Sequence, residues 1–281
     1  MSTLSQPILR RPVWPRGAKS AGIYRATDPH RNMKNYRKAH TGFTLIEALV
    51  TIAVIGVLAA LLLPALSAVK ARSQRTVCAN NLRQIATGLH LYASDNDDRL
   101  PSIVVTDDME FRYRWRFFKE LTKSYDGLSG PSSPADKLFA CPADRFYYSN
   151  RAVNPLIRAS MHDDPWADYS SYWFSRFNLE PNPATDGNYP GIAGVKISSI
   201  RATSRTLMVV DQPAVFSYSW HKPQAITDPG PPKTNDNWNM GVFVDGHAKF
   251  LQFYFNPKVP LGIPACGYEP PAKYEYQWGD D

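Results

Sequence analysis

Apolar positions fall into three patterns along this chain. From Ala48 to Val69 the run ALVTIAVIGVLAALLLPALSAV carries no charge over 22 residues, and Thr51 and Ser67 are its only hydroxyl side chains. At about 1.5 Å per residue that is about 33 Å of helix, slightly more than the roughly 30 Å hydrocarbon thickness of a bilayer. The run predicts a membrane-spanning helix, because a soluble helix buried on every side for about six turns is rare in a chain of this size. Pro64 removes one backbone hydrogen bond and is expected to kink the helix without ending it. Farther on the period changes. Cys78, Leu82, Ile85, Leu89 and Tyr92 follow at intervals of 4, 3, 4 and 3, one apolar stripe with Asn80, Arg83 and Gln84 off it. One helix from Thr44 to about Ser94, roughly 75 Å long, is predicted, its first half in lipid and its second against protein.

The third pattern is strand-like. Thr206–Asp211 predicts a buried strand with breakers on both sides, and Gly241–Phe250 predicts a hairpin. In the hairpin Val242, Val244, Ala248 and Phe250 alternate with polar or outward positions, and Asp245-Gly246 is expected as a type I′ turn. Segments rich in Pro, Gly, Asn and Asp (126–136, 181–191 and 226–236) are expected as loops. The predicted fold class is therefore α+β: a long N-terminal helix, half of it transmembrane, whose outer half packs on a small antiparallel sheet with long loops.

Charge changes the picture through its location. The chain of 281 residues has a formal net charge of +7, yet residues 1–42 alone carry +8, leaving −1 on everything after them. The basic balance is thus a property of the segment before the apolar run, and no nucleic acid partner is expected for the body of the protein. Basic residues before the run, and their scarcity just after it, predict a cytoplasmic N-terminus, a single membrane pass and an exported C-terminal part.

The boundary between the basic segment and the run is unusual. Lys38-Ala39-His40-Thr41-Gly42-Phe43-Thr44-Leu45-Ile46-Glu47 places a glycine, an aromatic and then one acid among apolar neighbours. Thr44 and Glu47 have the spacing of a capping box, which satisfies the first N–H groups of a helix locally. A carboxylate at the mouth of a membrane helix nevertheless costs a few kcal/mol without a partner or a polar exit. Here the chain resembles the type IV prepilin and type II secretion pseudopilin family, on the GFTLIE hexapeptide followed by a charge-free helix. The resemblance implies a leader of residues 1–42 cut between Gly42 and Phe43, N-methylation of Phe43, and Glu47 as an assembly contact to a neighbouring subunit's amine. It divides the chain into leader 1–42, transmembrane and assembly helix 43–69, outer helix 70–94 and globular head 95–281. It also implies a structural rather than enzymatic role, in a type IV pilus-like or type II secretion filament, with the head periplasmic or on the cell surface. The implied partners are identical or related pilin subunits, a prepilin peptidase and methyltransferase, an inner-membrane assembly platform and membrane lipid. A start at Met33 would leave a short leader, MKNYRKAHTG, so residues 1–32 are expected to be an upstream mis-assigned start.

A narrower resemblance concerns the head. Cys78-Ala79-Asn80-Asn81-Leu82-Arg83-Gln84-Ile85, Leu91–Asp95, Pro101 and Cys141-Pro142 are similar to the pilin-like proteins of planctomycetes and verrucomicrobia. Those proteins close with a histidine, nine residues and Asp-Gly in a hairpin. Here Asp245-Gly246 is present, but the histidine position falls on Asn235 and the nearest candidate is His221. On residues alone, three cysteines in an exported region allow one disulfide with a thiol left over, or three reduced thiols. The resemblance implies a Cys78–Cys141 pair, with Cys266 free or paired between chains.

Other chemistry is thinner. Asp95-Asn96-Asp97-Asp98 is rich in oxygen ligands for calcium, but its spacing is not that of an EF-hand, and a solvated helix end is the expected reading. No other cofactor and no metal site is expected. Asp211, His221, Asp245 and His247 are the residues around which a hydrolytic or ligand-binding head on a pilin-type anchor, the alternative function, would be built. No HExxH, CxxC pair or GxSxG accompanies them. Phe111, Tyr113, Trp115, Phe117 and Phe118, interleaved with Arg112, Arg114 and Arg116, are expected as a half-buried strand with a charged face.

Overall fold

The computed structural model describes residues 44–102, 117–145, 147–148, 157–158, 160–175, 181–182, 187–188, 191–216, 218–222, 236–256 and 268–279. Residues 1–43, with Gly42 and Phe43, lie outside the described residues, as do Cys266, Asn235 and residues 111–116 of the aromatic and arginine alternation. Two compact units divide the chain, Met1–Ala53 and Val54–Asp281.

Helix α1 runs from Leu45 to Asp95, 51 residues, and passes through Pro64 without a break. Its two halves have opposite surroundings. No apolar side chain from Leu45 to Val69 is buried, and large residues such as Leu58, Leu61 and Leu62 stand more than half exposed. From Cys78 onward Cys78, Ala79, Leu82, Ile85, Ala86, Gly88, Leu89 and Ala93 are buried, while Asn80, Arg83 and Gln84 remain exposed. Tyr92, at the end of the stripe, is half-buried and meets Tyr125 edge-on at 5.9 Å. The helix stops where Asp97 and Asp98 turn left-handed, at φ 55° and 65°, a conformation that aspartate tolerates better than most residues. Asp98 N–H donates to the Ala93 carbonyl at 2.8 Å, and the Asp98 carboxylate accepts from Ser198 N–H at 2.9 Å. Those Ser198 hydrogen bonds hold the Asp98 carboxyl below its ordinary value. The acidic turn is therefore a helix terminus fastened to the loop at 196–198.

The sheet is a four-stranded antiparallel meander: β1 (Tyr172–Phe174), β2 (Leu207–Asp211), β3 (Asn237–Phe243) and β4 (Ala248–Phe253), adjacent in that order. Tyr172 pairs with Asp211, Val210 with Gly241 and Val242 with Ala248, and a register shift lies between Leu207 and Val209. One face, with Tyr172, Phe174, Met208, Met240 and Val242, joins Leu82, Ile85 and Leu89 of α1 in a single core. The fold is thus α+β, a long N-terminal helix packed on a small antiparallel sheet.

Three expectations need correction. The opposite sheet face is not outward: Trp173, Leu207, Val210, Phe243, Leu251 and Phe253 form a second core with Tyr274, Tyr276 and Trp278 of the C-terminal segment. A sheet covered on both faces loses the polar alternation of a one-sided one, hence the continuous burial of β2. The β3–β4 turn is not type I′. Gly246 alone of the turn has positive φ, at 86°; its N–H reaches the Phe243 carbonyl at 2.9 Å, and Phe243 N–H reaches the His247 carbonyl at 3.0 Å. That is a three-residue loop with glycine in the left-handed position, and it spares Asp245 a left-handed backbone. Finally, Phe117 and Phe118 open a short helix, α2 (Phe117–Thr122), rather than ending a strand. Phe118 is drawn into the core, stacked on Phe174 at 5.8 Å.

Candidate functional site

At the start of α1 the capping box is formed. Thr44 N–H donates to Glu47 Oε2 at 2.8 Å, and Glu47 N–H donates to Thr44 Oγ1 at 3.3 Å. Thr44 Oγ1 also donates to the same carboxylate oxygen at 2.8 Å. Both residues are exposed, so the box orders the helix entry while the carboxylate stays open to one side. Beyond it, Thr51 and Ser67 return their hydroxyls to the carbonyls of Ala48 and Pro64, each at 2.8 Å. That leaves no free side-chain donor on the apolar surface of Ala48–Val69. The segment meets the length and composition of a bilayer span, and its most apolar window is uncovered by the described residues.

A bare apolar surface of this length in a globular setting would be insoluble, so it calls for lipid or for other copies of the same surface. The sequence around it decides which kind of protein carries it. Residues 37–63 match the prokaryotic N-terminal methylation motif. The type II secretion system core protein G of Pseudomonas aeruginosa is 37% identical over 60 residues, which is 21% of this chain and 42% of that protein. Over this N-terminal segment the chain is similar to the type IV prepilin and pseudopilin family. The chain thus matches less than half the length of that pseudopilin, and no solved structure matches it. A prepilin-type N-terminus and an uncovered apolar helix fit anchoring in the inner membrane.

The head has its own cluster. Cys78 of α1 and Cys141 are joined by a disulfide with Cα atoms 5.3 Å apart. Polar side chains of α1 grip the Cys141 segment on both sides: Gln74 Nε2 donates to the Pro142 carbonyl at 2.8 Å and Asn81 Nδ2 to the Ala140 carbonyl at 2.9 Å. Behind it, Ser171 Oγ accepts from Cys141 N–H at 3.0 Å and donates to Asp144 at 2.7 Å. Asp144 also accepts the N–H groups of Met161 and His162. Burial pushes its carboxyl up to about 6, opposed by these hydrogen bonds. Sequence reasoning missed these clamps; their signal was the polar residues flanking the apolar stripe.

Of the four head residues singled out from sequence, the structure brings two together. Asp211, at the end of β2, and His221 lie beside the disulfide, with His221 Nε2 3.1 Å from Asp211 Oδ2 and 3.5 Å from Cys141 Sγ. Asp245 and His247 instead pair with each other at 2.6 Å on the exposed hairpin turn, where the His247 ring stacks on Phe243 at 4.2 Å. The buried pair does not form a proton relay. A relay needs the acid on one ring nitrogen and the nucleophile on the other, whereas His221 presents Nε2 to both.

A buried lysine is a further feature that sequence gave no sign of. Lys119 Nζ, fully buried, meets Asp136 at 3.0 Å and donates to the carbonyls of Asp168 and Tyr169. Burial lowers its pKa against the pull of Asp136. Every neighbour of the ammonium is a fold contact, and the group ties α2 to two loops.

Proposed function

We propose that this chain is a structural, non-enzymatic subunit of a type IV pilus-like or type II secretion filament. In this reading it enters the inner membrane with its N-terminus in the cytoplasm and its head outside, is cut between Gly42 and Phe43, and is methylated on Phe43. Its partners are then a prepilin peptidase and methyltransferase, an inner-membrane assembly platform, and identical or related subunits packed through residues 43–69. The observation that carries the reading is one stretch of chain with three properties at once: the methylation motif at 37–63, the capped helix entry at Thr44 and Glu47, and an apolar surface that none of the described residues covers. Glu47 serves as the assembly contact. Its carboxylate is exposed beside the first helical turn, where a neighbouring subunit's new N-terminal amine would neutralise a charge that lipid penalises by a few kcal/mol.

The test is the intact mass and N-terminal peptide of the protein recovered from membranes of its own cell. A chain beginning at methylated Phe43 is expected. A chain that still carries Lys34–Gly42 would sink the processing step and leave a tethered head. Glu47→Ala separates assembly from insertion: the variant is expected to remain in the membrane and to be lost from sheared filaments.

A further inference from the structure

The Cys78–Cys141 disulfide is one side of a four-residue cluster. One ligating atom from each of Cys78, Cys141, Asp211 and His221 lies within 4.8 Å of every other, and all four residues are buried. We propose that these residues form a second, reduced state of the head, a closed zinc site of two thiolates, one imidazole and one carboxylate. The inference does not depend on the filament reading.

Donor chemistry and geometry both fit. Sulfur, nitrogen and oxygen donors in a four-coordinate closed site are those of structural zinc, with bonds of about 2.0–2.3 Å. Bonds of that length place neighbouring donors of a tetrahedron about 3.3–3.8 Å apart. The His221–Asp211 and His221–Cys141 separations, 3.1 and 3.5 Å, are already close to such edges. The two sulfurs must part by on the order of 1.7 Å from an ordinary disulfide length, and the remaining donor pairs lie within 4.8 Å of one another. The donors come from α1, the Cys141 segment, the end of β2 and the loop before β3, so the ion would tie the two elements that the disulfide ties and two more. The site is also electrostatically unfinished. Asp211 is fully buried, its Oδ2 is met by Met240 N–H at 3.0 Å and by His221, and its Oδ1 has no hydrogen-bond partner. A divalent cation would balance the charge of the two thiolates and give the buried carboxylate a cationic partner. Pro142 and Lys222, next in the chain to two of the donors, are exposed.

The two states exclude each other and are linked by balanced chemistry. A dithiol reductant delivers two electrons and two protons, the Sγ–Sγ bond breaks, two thiols form, and the reductant leaves as its own disulfide. Binding of Zn²⁺ then releases one proton from each thiol. A disulfide oxidant reverses the order: the two thiolates pass it two electrons, its own S–S bond opens to two thiols with two protons from solvent, the Sγ–Sγ bond forms again and the ion is expelled.

The experiment uses the full chain in detergent micelles with Cys266→Ser, so that the third thiol does not contribute, and a phosphine reductant that does not hold the metal. Co²⁺ is the probe. The reduced chain is expected to take up one Co²⁺ with thiolate charge-transfer and tetrahedral ligand-field bands, to exchange it for Zn²⁺, and to gain thermal stability. The oxidised chain is expected to take up none. Asp211→Asn, which keeps an acceptor for Met240 N–H, and His221→Gln are each expected to weaken binding at least tenfold. A reduced chain that keeps its circular dichroism and binds no Co²⁺ would overturn the proposal, as would folded variants that bind it as tightly as the parent. Should a variant fail to fold, the parent decides. If reduction alone unfolds the head, added Zn²⁺ must restore it, and failure to do so also overturns the site.

Discussion

The two halves of helix α1 are alike in backbone and opposite in surroundings. From Leu45 to Val69 every large apolar residue is uncovered; from Cys78 to Leu89 the apolar stripe of Cys78, Leu82, Ile85 and Leu89 lies in one core with the sheet, while Leu91 off it stays exposed. The first half has no polar face at all, whereas the second alternates a buried stripe with exposed Asn80, Arg83 and Gln84. A helix that is apolar all round needs an apolar solvent or further copies of itself, and one with a stripe needs a single partner surface. The hydrophobic free energy of the first half is therefore unspent within one chain, while that of the second stabilises the head.

That contrast can be broken most sharply with one substitution made in both halves. Leu82→Ala opens a cavity at a residue with 0% exposure and is expected to cost the head about 2–5 kcal/mol. Leu62→Ala, at 65% exposure, should leave it within about 0.5 kcal/mol. Denaturant unfolding of the full chain in detergent, followed by tryptophan fluorescence, checks both; equal effects would mean that the halves do not differ as described. Next in size, Leu61→Arg should cost about 2.5–3.5 kcal/mol of membrane insertion. The alkali-resistant membrane fraction should fall while the unfolding temperature of the head stays the same.

A carboxylate lies at each half, Glu47 within the first and Asp126 packed against Gly88 of the second, and the two behave differently. Glu47 is exposed and capped by Thr44, but Asp126 is half-buried where it presses on Gly88, so close that a Cβ at Gly88 would run into it. Asp126 Oδ2 has no hydrogen-bond partner, and burial pushes its carboxyl up to about 7 from 3.8. The folded chain therefore holds a proton that the unfolded chain has released. The Asp126 contribution to stability should be greatest below about pH 4, fall as the pH rises towards about 7, and level off above it. Asp144, raised to about 6, adds a slope of the same sign. Melting of the full chain is expected at a higher temperature at pH 5 than at pH 8, with Asp126→Asn removing part of the difference. Solvent screening of a half-buried group keeps the Asp126 contribution to about 2 kcal/mol. A melting temperature flat in pH would overturn the burial argument. The smallest effect belongs to the helix entry. Thr44→Ala should cost about 1 kcal/mol locally, speeding amide exchange in the first turn about fivefold without touching the head.

Much of this was legible in the sequence because it is local. Twenty-two uncharged residues, the Thr44–Glu47 spacing and the 4-3-4-3 stripe each depend on neighbours within a turn or two, and the helix found at Leu45–Asp95 follows them closely. The β3–β4 hairpin and the buried β2 were legible for the same reason. What misled was pattern without partner. Val242 and Phe250 were taken for one side of a one-sided sheet, because nothing local announces that Tyr274, Tyr276 and Trp278, some thirty residues on, cover the other side.

The sequence by itself determined that this protein has a bare apolar helix behind a prepilin-type junction, since charge, length and hexapeptide are all written in consecutive residues. Only the tertiary structure decided what meets the helix beyond the span. Asp211 and His221 come from separate segments to the Cys78–Cys141 bond, Asp245 and His247 are left outside it, and Lys119 finds Asp136 across a loop. Those meetings are set by which faces close over one another as the core packs, and the spacing of residues along a chain does not encode which distant segments will share a face.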